Sequence, residues 1–124
     1  MNNLKLEKYL NENKASNFNE LLFFFIDSKD LKDSDVYRKI NMDRKLFSKI
    51  RCNFKYIPNK TNVIKLCLSL NLNLIDTNKL LNSAGYSLAY NDNFDLIISY
   101  CIENNIYDLN IINDYLYSYT KATL

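Results

Sequence analysis

The chain has no histidine, no tryptophan, one glycine and one proline among its 124 residues. Each scarcity excludes something. Without histidine, the commonest general base and a principal zinc-ligating nitrogen are missing. A single glycine cannot build a glycine-rich phosphate loop. The usual apparatus of acid–base catalysis and nucleotide binding is therefore absent, and the expectation is a protein that is not an enzyme. Few glycines and prolines also mean few breaks in regular structure, which favours helices joined by short turns. Cysteine is sparse too. Cys52, Cys67 and Cys101 are too far apart to form a Cys-x-x-Cys pair, so no metal and no cofactor are expected. Cys67 and Cys101 lie in apolar runs and read as buried thiols, whereas Cys52 reads as exposed. An odd number of cysteines and no leader point to the reducing cytoplasm. The longest apolar run, "LLFFFI" at 21–26, is far too short to span a bilayer, so no membrane partner is expected.

What the chain does have is ordinary globular bulk, 48% hydrophobic and 24% charged, at a length suited to one domain over residues 1–124. Its twenty asparagines are scattered among apolar residues and form no low-complexity tract, so they read as a composition bias. Charge is far from evenly spread. Residues 1–37 carry five basic and seven acidic side chains, residues 38–65 nine and one, and residues 66–124 two and six. The net charges −2, +8 and −4 sum to the total of +2. A near-neutral chain thus contains a strongly basic centre, the asymmetry expected of a surface for a polyanion.

Apolar spacing predicts an all-α fold. A loose amphipathic helix over about 4–14 has Leu4, Leu6 and Leu10 as its apolar anchors. Firmer helices follow at about 17–29, 33–40, 44–52, 60–70, 75–82, 94–104 and 109–119. Ser16, Asp43, Asn93 and Asp108 are the expected N-caps. Asn41 is expected to take the left-handed conformation that ends a helix, and Gly85 to make a helix-ending turn. The stretch "LCLSLNLNL" at 66–74 alternates as a strand would, but Asn71 and Asn73 divide it, and it reads as helix then turn. Residues 1–15 form an N-terminal extension, 17–85 a core and 86–124 a C-terminal helical pair. In the helix at 44–52, Leu46, Phe47 and Ile50 point inward and Arg44, Lys45, Ser48, Lys49 and Arg51 outward. Asp92 and Asp95, around a later helix start, read as capping and dipole-complementing acids. Tyr100 reads as part of the core.

Two short helices joined by the turn "INMD", the second ending in "FSKI" (Phe47 to Ile50), with Pro58 and the apolar "VIKLCLSL" beyond, resemble the Xre-type, lambda-repressor-like helix-turn-helix family. The resemblance covers about fifty residues, 31–81. It implies a lambda-repressor-like core extended by two C-terminal helices, with a recognition helix at about 43–52. Tyr37 stands where that family usually has Ala, and its bulk is expected to alter the helix crossing. Asn41 replaces a usual Gly. Asp33 replaces a usual Gln and would repel phosphate. Over most of the chain the phrases "DVYRKINMDRKLFSKIR", "AGYSL", "NFDLIISYCIENNIYD" and "IINDYLYSY" look like the helical module at the C-terminus of Firmicutes macro-domain proteins, here standing alone. That likeness implies no enzymatic activity.

The function expected first is a DNA-binding transcriptional regulator acting on double-stranded DNA. Arg44, Lys45, Ser48 and Lys49 would face base edges, and Lys39, Arg51, Lys55 and Lys60 would hold phosphates. The alternative is a protein-interaction module that regulates a partner protein. Tyr115, Tyr117 and Tyr119 are its candidate interface, also suited to a homodimer, because tyrosine joins an apolar face to a polar tip. RNA stays open as a further partner, although the basic block shows no exposed aromatic platform of the kind single-strand binders use.

Overall fold

The computed structural model describes residues 3–124, and those residues form eight helices and no strand. They are α1 (Leu4–Asn13), α2 (Phe18–Ser28), α3 (Asp33–Lys39), α4 (Arg44–Cys52), α5 (Lys60–Ser69), α6 (Leu74–Ser83), α7 (Asn93–Glu103) and α8 (Leu109–Thr120). The 66–74 stretch is helix, turn and helix start, because Asn71 turns left-handed and Asn73 caps α6.

Helix ends follow local chemistry. Asn17, Asp43, Asn59, Asn73, Asp92 and Asp108 each accept a backbone N–H from the first turn of the helix that follows. Two expected caps are thus displaced by one residue, from Ser16 to Asn17 and from Asn93 to Asp92. At Asn17 a second bond explains the preference, since its amide also donates to Glu20 at 2.8 Å, which a serine hydroxyl is too short to do from one residue further back. Five helices stop in the same way. Asp30, Asn41, Asn71, Gly85 and Asn105 all have positive φ. Each donates its N–H to the carbonyl three residues back, and the next residue donates to the carbonyl five back, the paired bonds of a Schellman motif. The next residues, Leu31, Met42, Leu72, Tyr86 and Ile106, all turn into the core or pack against it. Asparagine, which tolerates the left-handed region, does here what glycine does at 85.

Helix α5 lies at the centre. Val63, Ile64 and every residue from 66 to 70 are buried, so α5 is covered on nearly all sides, as an all-round apolar helix requires. It packs against α3 and α6; α2 and α7 pack on α6, and α8 on α7. Ser69, the polar residue buried within α5, donates its hydroxyl to the Val36 carbonyl at 2.7 Å and so ties α5 to α3. Cys67 and Cys101 are buried and Cys52 is exposed. Burial pushes the Cys67 thiol up to about 12, and Cys101 moves the same way for the same reason.

Two expectations about burial fail. Leu4, Leu6 and Leu10 do not anchor α1: all three are more than half exposed, and none of that helix's residues is buried. Tyr100 is 56% exposed, because Ile98, Cys101 and Ile102 form the inward stripe of α7 and leave residue 100 on the far side.

Candidate nucleic-acid interface

Helix α4 starts at Asp43, whose carboxylate accepts the Lys45 N–H at 3.0 Å. Phe47 and Ile50 are buried. The Phe47 ring stacks on Tyr37 at 5.5 Å between centroids and meets the edge of Phe23 at 6.1 Å. Tyr37 therefore serves as a flat wall for Phe47 between α3 and α4. This orientation leaves Arg44, Lys45, Ser48, Lys49 and Arg51 exposed on the opposite side. Arg44 and Ser48 line a shallow depression with Lys32, Ser34 and Tyr37, and Arg44, Lys45 and Ser48 line another beside it. The four residues expected to face bases thus occupy one exposed side of one helix.

The residues expected to hold phosphate divide differently. Arg51 makes a bidentate pair with Asp33, one bond at 2.7 Å, while its guanidinium lies 4.0 Å from the Phe23 ring centroid. The Asp33 hydrogen bonds raise the arginine's already high pKa. Asp33, expected to repel phosphate, is thereby neutralised by its own neighbour. Lys39 donates to the Ser69 carbonyl at 3.3 Å and to the Asn71 side chain at 3.2 Å, bracing α3 on the α5–α6 turn. Lys60 is more deeply committed. Its ammonium meets the Asp95 carboxylate at 2.7 Å, and Asp95 is only 2% exposed. The same carboxylate oxygen accepts the Ala89 N–H at 2.7 Å. Asp95 is therefore the buried half of an ion pair joining α5 to α7, a larger role than dipole complement at a helix start. Lys60 is accordingly engaged inside the protein. Lys55 alone of the four has no ion pair or hydrogen bond from its ammonium, which lies 5.7 Å from the Phe54 ring.

Between residues 44 and 75 the sequence carries seven basic residues and no acid. With Arg51 and Lys60 paired, Arg44, Lys45, Lys49, Lys55 and Lys65 remain without an ion pair among the described residues, the first four on α4 or the loop after it and Lys65 on α5. The exposed aromatic thought absent from this block is present. Phe54 is 60% exposed in that loop, and Tyr56, two residues on, is half-buried under the Lys49 ammonium, 4.3 Å from its centroid. A residue following the end of an amphipathic helix has no periodic signal for burial, which is why sequence spacing missed it.

On α8, Tyr115, Tyr117 and Tyr119 are all exposed. Tyr119 shares a shallow, mainly apolar depression with Leu96, Ile97 and Tyr100, two of which, Leu96 and Tyr100, are exposed and were not foreseen there. Their spacing of four on α7 was the available signal. Tyr117 faces elsewhere, with the Lys121 ammonium 5.2 Å from its ring.

Among the described residues no helix is long and apolar enough to cross a membrane. Comparison of the chain with protein-family models, with curated proteins and with solved structures yields no match.

Proposed function

We propose that the chain binds double-stranded DNA as a regulator of transcription in the cytoplasm, with α3, the Asn41–Met42 turn and α4 acting as a helix-turn-helix. The observation that carries this reading is the unpaired cationic side of α4. Arg44, Lys45 and Lys49 point outward with Ser48, on a segment with no acid from 44 to 75. Such a side suits base edges, since Arg can bond guanine bidentately and serine can serve several bases. Arg44, in the first turn of α4, is the residue assigned to a base. Lys55 is assigned to phosphate.

Selection from pooled random duplexes tests the reading. Enrichment of a sequence is expected, with affinity falling with salt at a log–log slope of about −0.9 per phosphate neutralised. Reversing Arg44, Lys45 and Lys49 together to glutamate should abolish binding. Unchanged binding and slope in that variant would remove α4 from the interface.

A second reading, a protein-interaction module that regulates a partner, draws on the exposed Leu96, Tyr100 and Tyr119 around one depression. The two readings combine if this face joins two copies, as helix-turn-helix proteins commonly dimerise on two half-sites. Sedimentation at high micromolar concentration should then show a dimer that Tyr100→Arg dissociates. A strict monomer would remove the dimer and the palindromic site with it.

A further inference from the structure

Loop residues 53–59, "NFKYIPN", place one lysine, Lys55, between two aromatic rings directly after α4. We infer that this loop is a stacking platform for an unpaired nucleobase, so that the protein prefers DNA with a single-stranded segment beside the duplex; this rests on the DNA-binding reading and extends it.

Four observations carry the inference. Phe54 is the most exposed aromatic in the 38–65 basic block, at 60%. An exposed ring with cations beside it offers a face on which a flat partner can stack. Second, the loop is held at both ends. Asn53 accepts the Lys55 N–H at 3.1 Å and the Tyr56 N–H at 3.0 Å, and Pro58 accepts the Tyr86 hydroxyl at 2.8 Å. A ring on a fixed loop costs little to order when a base arrives. Third, cations attend both rings, Lys55 at 5.7 Å from Phe54 and Lys49 at 4.3 Å from Tyr56, and neither is neutralised by a carboxylate. A nucleotide offers both things this arrangement takes, a π-face for the ring and a phosphate for the lysine. Aromatic rings within a positive groove are the general means of holding single strands. Fourth, an intact duplex keeps its bases stacked on one another, so Phe54 can stack fully only on a base that is unpaired. The Tyr100–Tyr119 depression, by contrast, has no cation among its lining residues.

The test uses three fluorescent probes of one sequence: an intact duplex, the same duplex with a single-stranded extension carrying 2-aminopurine, and the free single strand. Wild type should bind the extended duplex several-fold more tightly than the intact one, with quenching of 2-aminopurine as it stacks. Phe54→Ala should lose that preference, roughly tenfold in affinity for the extended probe, with the intact duplex bound as before. Phe54→Trp should keep it. Circular dichroism verifies that each variant is folded, which the exposure of residue 54 favours. Equal affinity of wild type for the two duplexes overturns the platform and leaves the duplex reading standing. An equal loss on both duplexes in Phe54→Ala also overturns it, since the ring would then be wedging into paired DNA. Binding to none of the probes overturns both readings.

Discussion

Helices α3–α4 and α7–α8 are each consecutive pairs set on the same core, yet they treat charge in opposite ways. The end of α3 and all of α4 lie in the block of net charge +8 and leave most cations facing water; α7 and α8 lie in the block of −4 and bury one of its acids, Asp95. The acid is tolerable because α5 sends Lys60 to it. A buried carboxylate without a counter-charge would be very costly, whereas cations in water cost little singly. The lesson is that charge segregated along a sequence need not stay segregated in space. Of the basic block's nine cations, Lys60 is spent across the fold and Arg51 on Asp33, and the surface available to a polyanion is smaller than the count suggests.

Four experiments press on that contrast, beginning with the strongest effect. Phe47 is the buried face of the helix whose other face is basic. Phe47→Ala should cost about 3–5 kcal/mol, because Tyr37 and Phe23 wall the site and hinder collapse. Arg44→Ala should stay within about 0.5 kcal/mol. Urea unfolding measures both, and similar losses would mean that α4 has no inner and outer side.

Next is the ion pair. Lys60→Met should cost about 3 kcal/mol by stranding Asp95, and the double variant Lys60→Met, Asp95→Leu should recover most of it. No recovery would show that Asp95 matters chiefly through its Ala89 hydrogen bond.

Alkaline pH distinguishes the interior from the basic surface. Burial raises the pKa of Cys67 to about 12 from an ordinary 9.0, and raises Cys101 and Tyr107 also. The unfolded thiol ionises first, so the stability is whole below pH 9.0 and is lost as pH climbs toward 12. Between pH 7 and about 10.5 the loss from Cys67 should be on the order of 1–2 kcal/mol. The slope should flatten in Cys67→Ala. A parallel slope in that variant would assign the alkaline loss to other groups.

The smallest effect in stability sharpens the contrast most. Asp33→Asn frees Arg51 at a cost of under about 1 kcal/mol, since the pair is partly exposed. Under the DNA reading, duplex affinity should rise and the salt slope steepen by about one unit. An unchanged slope would place Arg51 outside the contact surface.

The helices were legible because their ends are written locally. Asp43 and Asp108 cap where expected, Asn41 and Gly85 turn where expected, and the observed bounds of α4 coincide with the expected 44–52. Sequence periodicity also separated Phe47 and Ile50 from Arg44 and Lys49. What it could not show were the partners of charged groups. Lys60 and Asp95 are thirty-five residues apart, and nothing near either one announces the other. Phe54 and Tyr100 were hidden for a related reason: their exposure depends on which neighbours the fold brings, and hydrophobicity alone assigns such residues inward. The leucines of α1 mislead in the same way, since an amphipathic stripe states a preference for burial but supplies no surface to meet it.

The five Schellman turns bear on time as well as on shape. Each stop is specified within six residues, by a left-handed Asp, Asn or Gly and the apolar residue after it. A helix in the unfolded ensemble can therefore find its correct end before any distant contact exists. All-helical chains with such local instructions belong to the fast class, with folding in microseconds to milliseconds. For this protein the slow part of folding should be the docking of helices that brings distant residues together, Lys60 and Asp95 among them, since no local signal guides it.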